Sequence, residues 1–118
     1  MNYIFLIYSD EKNGPPKPTN EAEFAKMMEP WGIYNKALKD AGVMRGGQPL
    51  HPTTAASTVT VTDGETVITD GPFAETREQL GGYYAIECDN LDDAMHWASQ
   101  CPIVNYGRVE VRPIMDLG

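Results

Sequence analysis

The sequence predicts an α+β domain, with two helices on one face of a mixed four-stranded sheet and a hairpin beside it. Three observations carry this. The stretch NYIFLIYS, residues 2–9, is apolar at both alternating sets of positions, the pattern of a strand covered on both faces. Residues 20–41 and 91–101 change to helical spacing. Between them, STVTVT and ETVIT flank Asp63-Gly64, a favoured two-residue hairpin turn between β-branched runs.

Each element follows in order. After the first strand, DEKNGPPKPT is an exposed loop rich in proline and lysine. In the first helix Phe24, Met27, Met28, Trp31, Tyr34 and Leu38 form one apolar stripe, read as core rather than as a cofactor pocket. Thr19 or Asn20 caps it, Glu21 and Glu23 suit its first turn, and Gly42 ends it. Pro30 removes a backbone donor and predicts a kink or a break near Glu29. VMRGGQPLHPTTAA reads as irregular. YYAIECD, residues 83–89, reads as a strand. The second helix is capped by Asp89 or Asn90 and stopped by Pro102, with Leu91, Ala94, Met95, Ala98 and Cys101 on its buried side and His96 outside. RVEVRPIM alternates as a final strand.

The order β-α-(hairpin)-β-α-β has the split β-α-β connections of a ferredoxin-like fold, in one domain over residues 1–118. Two helices cover only one sheet face, yet the first strand is apolar on both. A second copy of the chain is the simplest cover, so an isologous homodimer is expected.

Composition narrows the function. The net charge is −8, and its distribution is uneven: residues 1–59 carry six acids and six bases, residues 60–118 eleven acids and three arginines. Phosphate backbones and anionic membrane surfaces are repelled by such a chain, so neither nucleic acid nor membrane is an expected partner. No apolar run approaches the length of a membrane span, and the first residues lack the basic and small-residue marks of a signal peptide. Cys88 and Cys101 have no metal-ligand spacing and read as reduced thiols in a cytoplasmic protein.

YIFLIYSDE, VITDGPFAETREQLGGYYAIECDNLDDAMHWASQCP and GRVEVRPIM together resemble the YCII-related superfamily, most closely the branch with an Asp-Gly-Pro-Phe motif, the DGPF-domain proteins. The resemblance spans nearly the whole chain. It implies a dimeric α/β barrel of ferredoxin-like type. It also implies a link, in some members, to extracytoplasmic-function sigma factors, and an active site using a histidine and an aspartate. Here the histidines are His51, in the loop before the hairpin, and His96, so His51 is the substitute for the first of that pair.

The segment TDGPFAETREQLGG concentrates the candidate chemistry. Asp70 precedes Gly71-Pro72, a rigid turn in which its carboxylate either accepts from backbone N–H groups or serves as a general acid or base beside Phe73. Glu75 and Glu78 extend the acidic set without the spacing of a metal site. On the last strand Arg108, Glu110 and Arg112 share a face. Arg112 suits the carboxylate or phosphate of a small anionic molecule, with Glu110 as its partner or a second acid/base. Tyr83 and Tyr84 are neighbouring hydroxyls for a pocket or for the core. Three functions follow: a small-molecule enzyme without an organic cofactor, using Asp70, His51 and Arg112; a non-catalytic ligand-binding or regulatory partner; or an assembly module in which the motif is only a turn.

Overall fold

A computed structural model describes residues 1–118. The elements are β1 (Asn2–Ser9), α1 (Glu21–Asp40), β2 (Met44–Pro49), β3 (Ser57–Thr62), β4 (Glu65–Asp70), β5 (Gln79–Glu87), α2 (Leu91–Ser99) and β6 (Gly107–Pro113), with short 3-10 turns at Thr53–Ala55 and Pro102–Asn105. The main sheet has the order β2-β5-β1-β6, and β3-β4 form a separate two-stranded sheet. This is the ferredoxin-like arrangement. Every neighbouring pair in the main sheet is antiparallel, so the expected mixture of directions is absent. β1 and β2 do run the same way, but β5 lies between them.

α1 starts where the sequence places it. Asn20 Oδ1 accepts from the Glu23 N–H, and the Glu23 carboxylate accepts from the backbone N–H and the hydroxyl of Thr19. These reciprocal bonds satisfy donors that a helix start leaves free. The helix passes Pro30 without interruption, contrary to the expected break; one lost donor on an exposed turn is tolerated when the rest of a 20-residue helix is intact. Gly42, at φ +71°, ends it in the left-handed region.

The hydrophobic core lies between the helices and one sheet face. Tyr3, Phe5 and Ile7 of β1 alternate into it with Tyr84 and Ile86 of β5, against Tyr34 and Leu38 of α1 and Ala94 and Ala98 of α2. Both expected helix stripes are only partly buried. Phe24, Met27 and Met28 of α1 and Leu91 and Met95 of α2 remain exposed.

The edge strand β2 is a correction to the sequence reading, which left MRGGQP irregular. Two glycines and a proline give it no strand-like composition. Its glycine is demanded by contact: a Cβ on Gly47 lies 2.8 Å from both the Tyr83 carbonyl oxygen and Tyr84 Cδ1. β5 also begins earlier than expected, so Gly81 and Gly82 lie inside a strand.

The other sheet face has no helix over it. Ile4, Leu6 and Tyr8 lie there with Tyr83 and Ala85, opposite Arg112, Glu110 and Arg108 of β6. No helix is long and apolar enough to cross a membrane.

Candidate functional site

A cavity of about 220 Å³ opens between α1 and the end of the sheet where β1 finishes and β5 begins. Met28, Trp31 and Asn35 line it from α1, Ser9 from β1, Gln48 from β2, and Gly81 to Tyr84 from β5. The glycines let the β2 and β5 backbones form its wall at close range. At Gly82 an added Cβ meets the Gln48 carbonyl oxygen at 3.0 Å, whereas at Gly81 the nearest atom is 3.9 Å away.

The polar groups of the cavity are few. The Tyr84 hydroxyl donates to Asn35 Oδ1 at 2.5 Å. The Asn35 amide nitrogen makes no hydrogen bond within the chain, so a donor is left for a guest. Tyr34 meets the Tyr84 ring edge-on, with centroids 5.5 Å apart at 85°, and its own hydroxyl donates to the Trp97 carbonyl at 2.9 Å. Burial pushes the Tyr84 hydroxyl up to about 12, with Cys101 nearby adding to it. Burial drives Tyr34 further in the same direction. Both hydroxyls therefore stay protonated at neutral pH and act as donors. No carboxylate, imidazole, ammonium, guanidinium or thiol lines the cavity. The arrangement is apolar with a few placed polar groups, the usual composition of a small-molecule pocket, at a volume below the drug-sized range.

Of the residues singled out in the sequence, Tyr83 reaches this cavity, contributing to its wall. Its place opposite Leu6 sets its side chain on the open sheet face. Arg112 and Glu110 lie on that same face, 3.8 Å apart and exposed. Arg108 turns instead to Glu78, at 2.5 Å. Asp70, Phe73 and His51 do not line the cavity. Asp70 ends β4, exposed, and its carboxylate accepts no backbone N–H. The turn after it is held by other atoms. Gly71 sits at φ +94°, its N–H donates to the Ala56 carbonyl at 2.7 Å, and Thr58 Oγ1 donates to the Gly71 carbonyl at 2.8 Å. Phe73 is 89% exposed. His51 is exposed in the loop after β2.

Both cysteine thiols are free, and burial raises each above its ordinary value, so neither is a ready thiolate. No group of three or more acidic, histidine or cysteine side chains is placed to hold a metal ion.

Sequence reasoning missed Asn35, Trp31, Met28, Gln48 and Ser9. The apolar stripe of α1 places Trp31 and Met28 in the core on sequence grounds. Asn35 sits one turn beyond Trp31, at the margin of that stripe, and a polar residue there is the one signal that the sequence offers.

The family model for the YCII-related domain matches residues 1–118. An uncharacterised protein of Rhizobium meliloti (strain 1021) is 39% identical over 116 residues, covering 97% of this chain and 92% of that protein. With the β2-β5-β1-β6 sheet, the two helices and the Asp-Gly-Pro-Phe turn on the same residues, the chain belongs to the YCII-related family.

Proposed function

We propose that this chain is a non-catalytic binder of a small, mainly apolar molecule bearing a carbonyl or similar acceptor. The carrying observation is the cavity itself. It offers an aromatic and aliphatic lining, a free amide donor on Asn35 and no group that titrates near neutrality. Trp31 gives a direct readout in a Trp97→Phe background, which removes the chain's other tryptophan. Titration with small aromatic carbonyl compounds, such as benzamide and acetophenone, should change Trp31 fluorescence saturably. Asn35→Leu should abolish the change while the protein stays folded. No saturable response in that background, or an equal response in Asn35→Leu, would sink the reading.

The working unit is a homodimer. Support comes from the open sheet face, where Ile4, Leu6, Tyr8 and Tyr83 present apolar surface with no helix above them. Two such faces brought together make a closed, two-sheet barrel. Free Cys88 and Cys101 suit a reducing, cytoplasmic setting.

A second reading is acid–base chemistry between the two sheets. Asp70 would carry the proton, Arg112 and Glu110 would anchor a small anion, and His51 would help. What favours it is the freedom of the Asp70 carboxylate, which no backbone donor occupies. Asp70→Asn separates the two readings, since it should leave the Trp31 titration unchanged.

A further inference from the structure

The hairpin Ser57–Asp70 stands away from the rest of the chain. Beyond their pairing with each other, β3 and β4 make only marginal contact with other elements. Its two faces differ. Thr58, Thr60, Thr62, Glu65, Val67 and Thr69 make one. Val59, Val61 and Ile68, with Ser57, Thr66 and Asp70, make the other, and its three apolar side chains are 63–69% exposed. A lone two-stranded sheet is marginal in water, and an apolar one invites pairing.

The whole molecule is underpacked for a single chain. A compact chain of 13.0 kDa exposes about 6,300 Å², whereas this one exposes 8713 Å². The difference, roughly 2,400 Å², is at the upper end of what one protomer of an obligate homodimer buries. Its radius of gyration is 16.5 Å, where about 13.5 Å is usual for this length.

The same chain carries a complementary surface. A groove between α2 and β6 is lined by Leu91, Met95, Val104, Val109 and Val111, with Arg108 at its rim. Topology brings hairpin and groove together. β2 and β6 are the opposite edges of the sheet. The end of β2, which leads to the hairpin, and the start of β6 lie at the same end, since Pro49 pairs with Gly82, and Gly82 and Gly107 flank the last residues of β1. When two sheets face each other about a two-fold axis parallel to the strands, β2 of one copy falls beside β6 of the other with matching ends up. The root of the hairpin then stands at the Gly107 end of the partner's β6, and the arm passes round that free edge to enter the groove on its helix side.

We propose that each hairpin is an arm exchanged between copies, its Val59/Val61/Ile68 face seated in the α2/β6 groove of the second copy. This rests on the homodimer reading above. The exchange is reciprocal and closes, so one contact covers two arms and two grooves.

Sedimentation equilibrium with hydrogen–deuterium exchange tests it. The wild type should be a dimer, with slow exchange over residues 57–70. Val59→Lys/Ile68→Lys should weaken the dimer at least tenfold with an unchanged far-ultraviolet spectrum. Met95→Glu, on a different element, should do the same and release the arm amides. A monomeric wild type overturns both the arm and the dimer. A dimer that persists undiminished in both variants, with arm amides exchanging fast in the wild type, overturns the arm and leaves the dimer standing. A wild-type dimer that resists Met95→Glu but yields to the arm variant places the arm on another surface and overturns the groove.

Discussion

The Tyr84 hydroxyl donates to Asn35 Oδ1 at 2.5 Å, joining the centre of the sheet to α1 across the floor of the cavity. Because Tyr84 is buried, the bond forms where water competes little. Tyr84→Phe removes the donor and leaves the Asn35 oxygen seeking another. The variant should be less stable by about 1–3 kcal/mol in urea unfolding. Equal stability would mean that the bond contributes nothing beyond what water supplies.

Gly47 is a packing requirement rather than a flexible joint. A Cβ there is 2.8 Å from the Tyr83 carbonyl oxygen, which is backbone and has no rotamer to move. Gly47→Ala should cost about 1–3 kcal/mol by overpacking. Gly46→Ala, where an added Cβ meets nothing within 4 Å, is the control and should cost less than its neighbour. Thermal melts of the pair measure the contrast.

Asp70 stands at the motif that first draws the eye, and it holds nothing in its own turn. The turn rests on the Gly71 N–H, the Thr58 hydroxyl and a positive φ. Asp70→Asn should therefore change stability by no more than about 0.5 kcal/mol, whereas Gly71→Ala, forced to φ +94°, should be clearly destabilising. Chemical denaturation of both variants decides whether the motif's structural burden sits on the glycine.

The start of α1 should be acid-sensitive. Bonds from the Thr19 backbone N–H and hydroxyl hold the Glu23 carboxyl below its ordinary value. A carboxylate depressed in the folded state stabilises above its unfolded pKa, and that contribution is lost as pH falls through the folded value. Asp10, lowered by Asn13 and Lys12, behaves in the same sense. Helicity followed by circular dichroism should fall in acid for the wild type. Glu23→Gln should show a shallower dependence below the ordinary carboxylate range, and an identical profile would remove Glu23 from the account.

Local signals carried most of the fold. The Asp63-Gly64 turn adopts φ +52° and +80°, the pair that a tight hairpin needs, and a dipeptide announces it. The caps at Asn20 and Asn90 each come from a two-residue choice that the sequence offers, Thr19 or Asn20 and Asp89 or Asn90. β2 was hidden because its Gly47 answers to Tyr83 and Tyr84, almost forty residues away. The cavity was hidden for a related reason. Trp31 and Met28 are core-like in the helix pattern, and only the position where the sheet stops turns them into a wall. Asp70 and Arg112 were legible as residue types, but the chain leaves them on different elements, one at the root of the hairpin and one opposite Ile4.

The Leu50 N–H donates to the Gly81 carbonyl at 2.9 Å, one step past the last β2–β5 pair. That bond closes the body before the hairpin begins. The stretch from His51 to Glu78 runs out from this clasp as an insertion before β5 returns at Gln79, and lengthening a closed loop is cheap, about 0.6 kcal/mol for each doubling. Natural variation can thus lengthen, shorten or restyle the hairpin while the β2–β5 seam and the cavity beside it keep their shape.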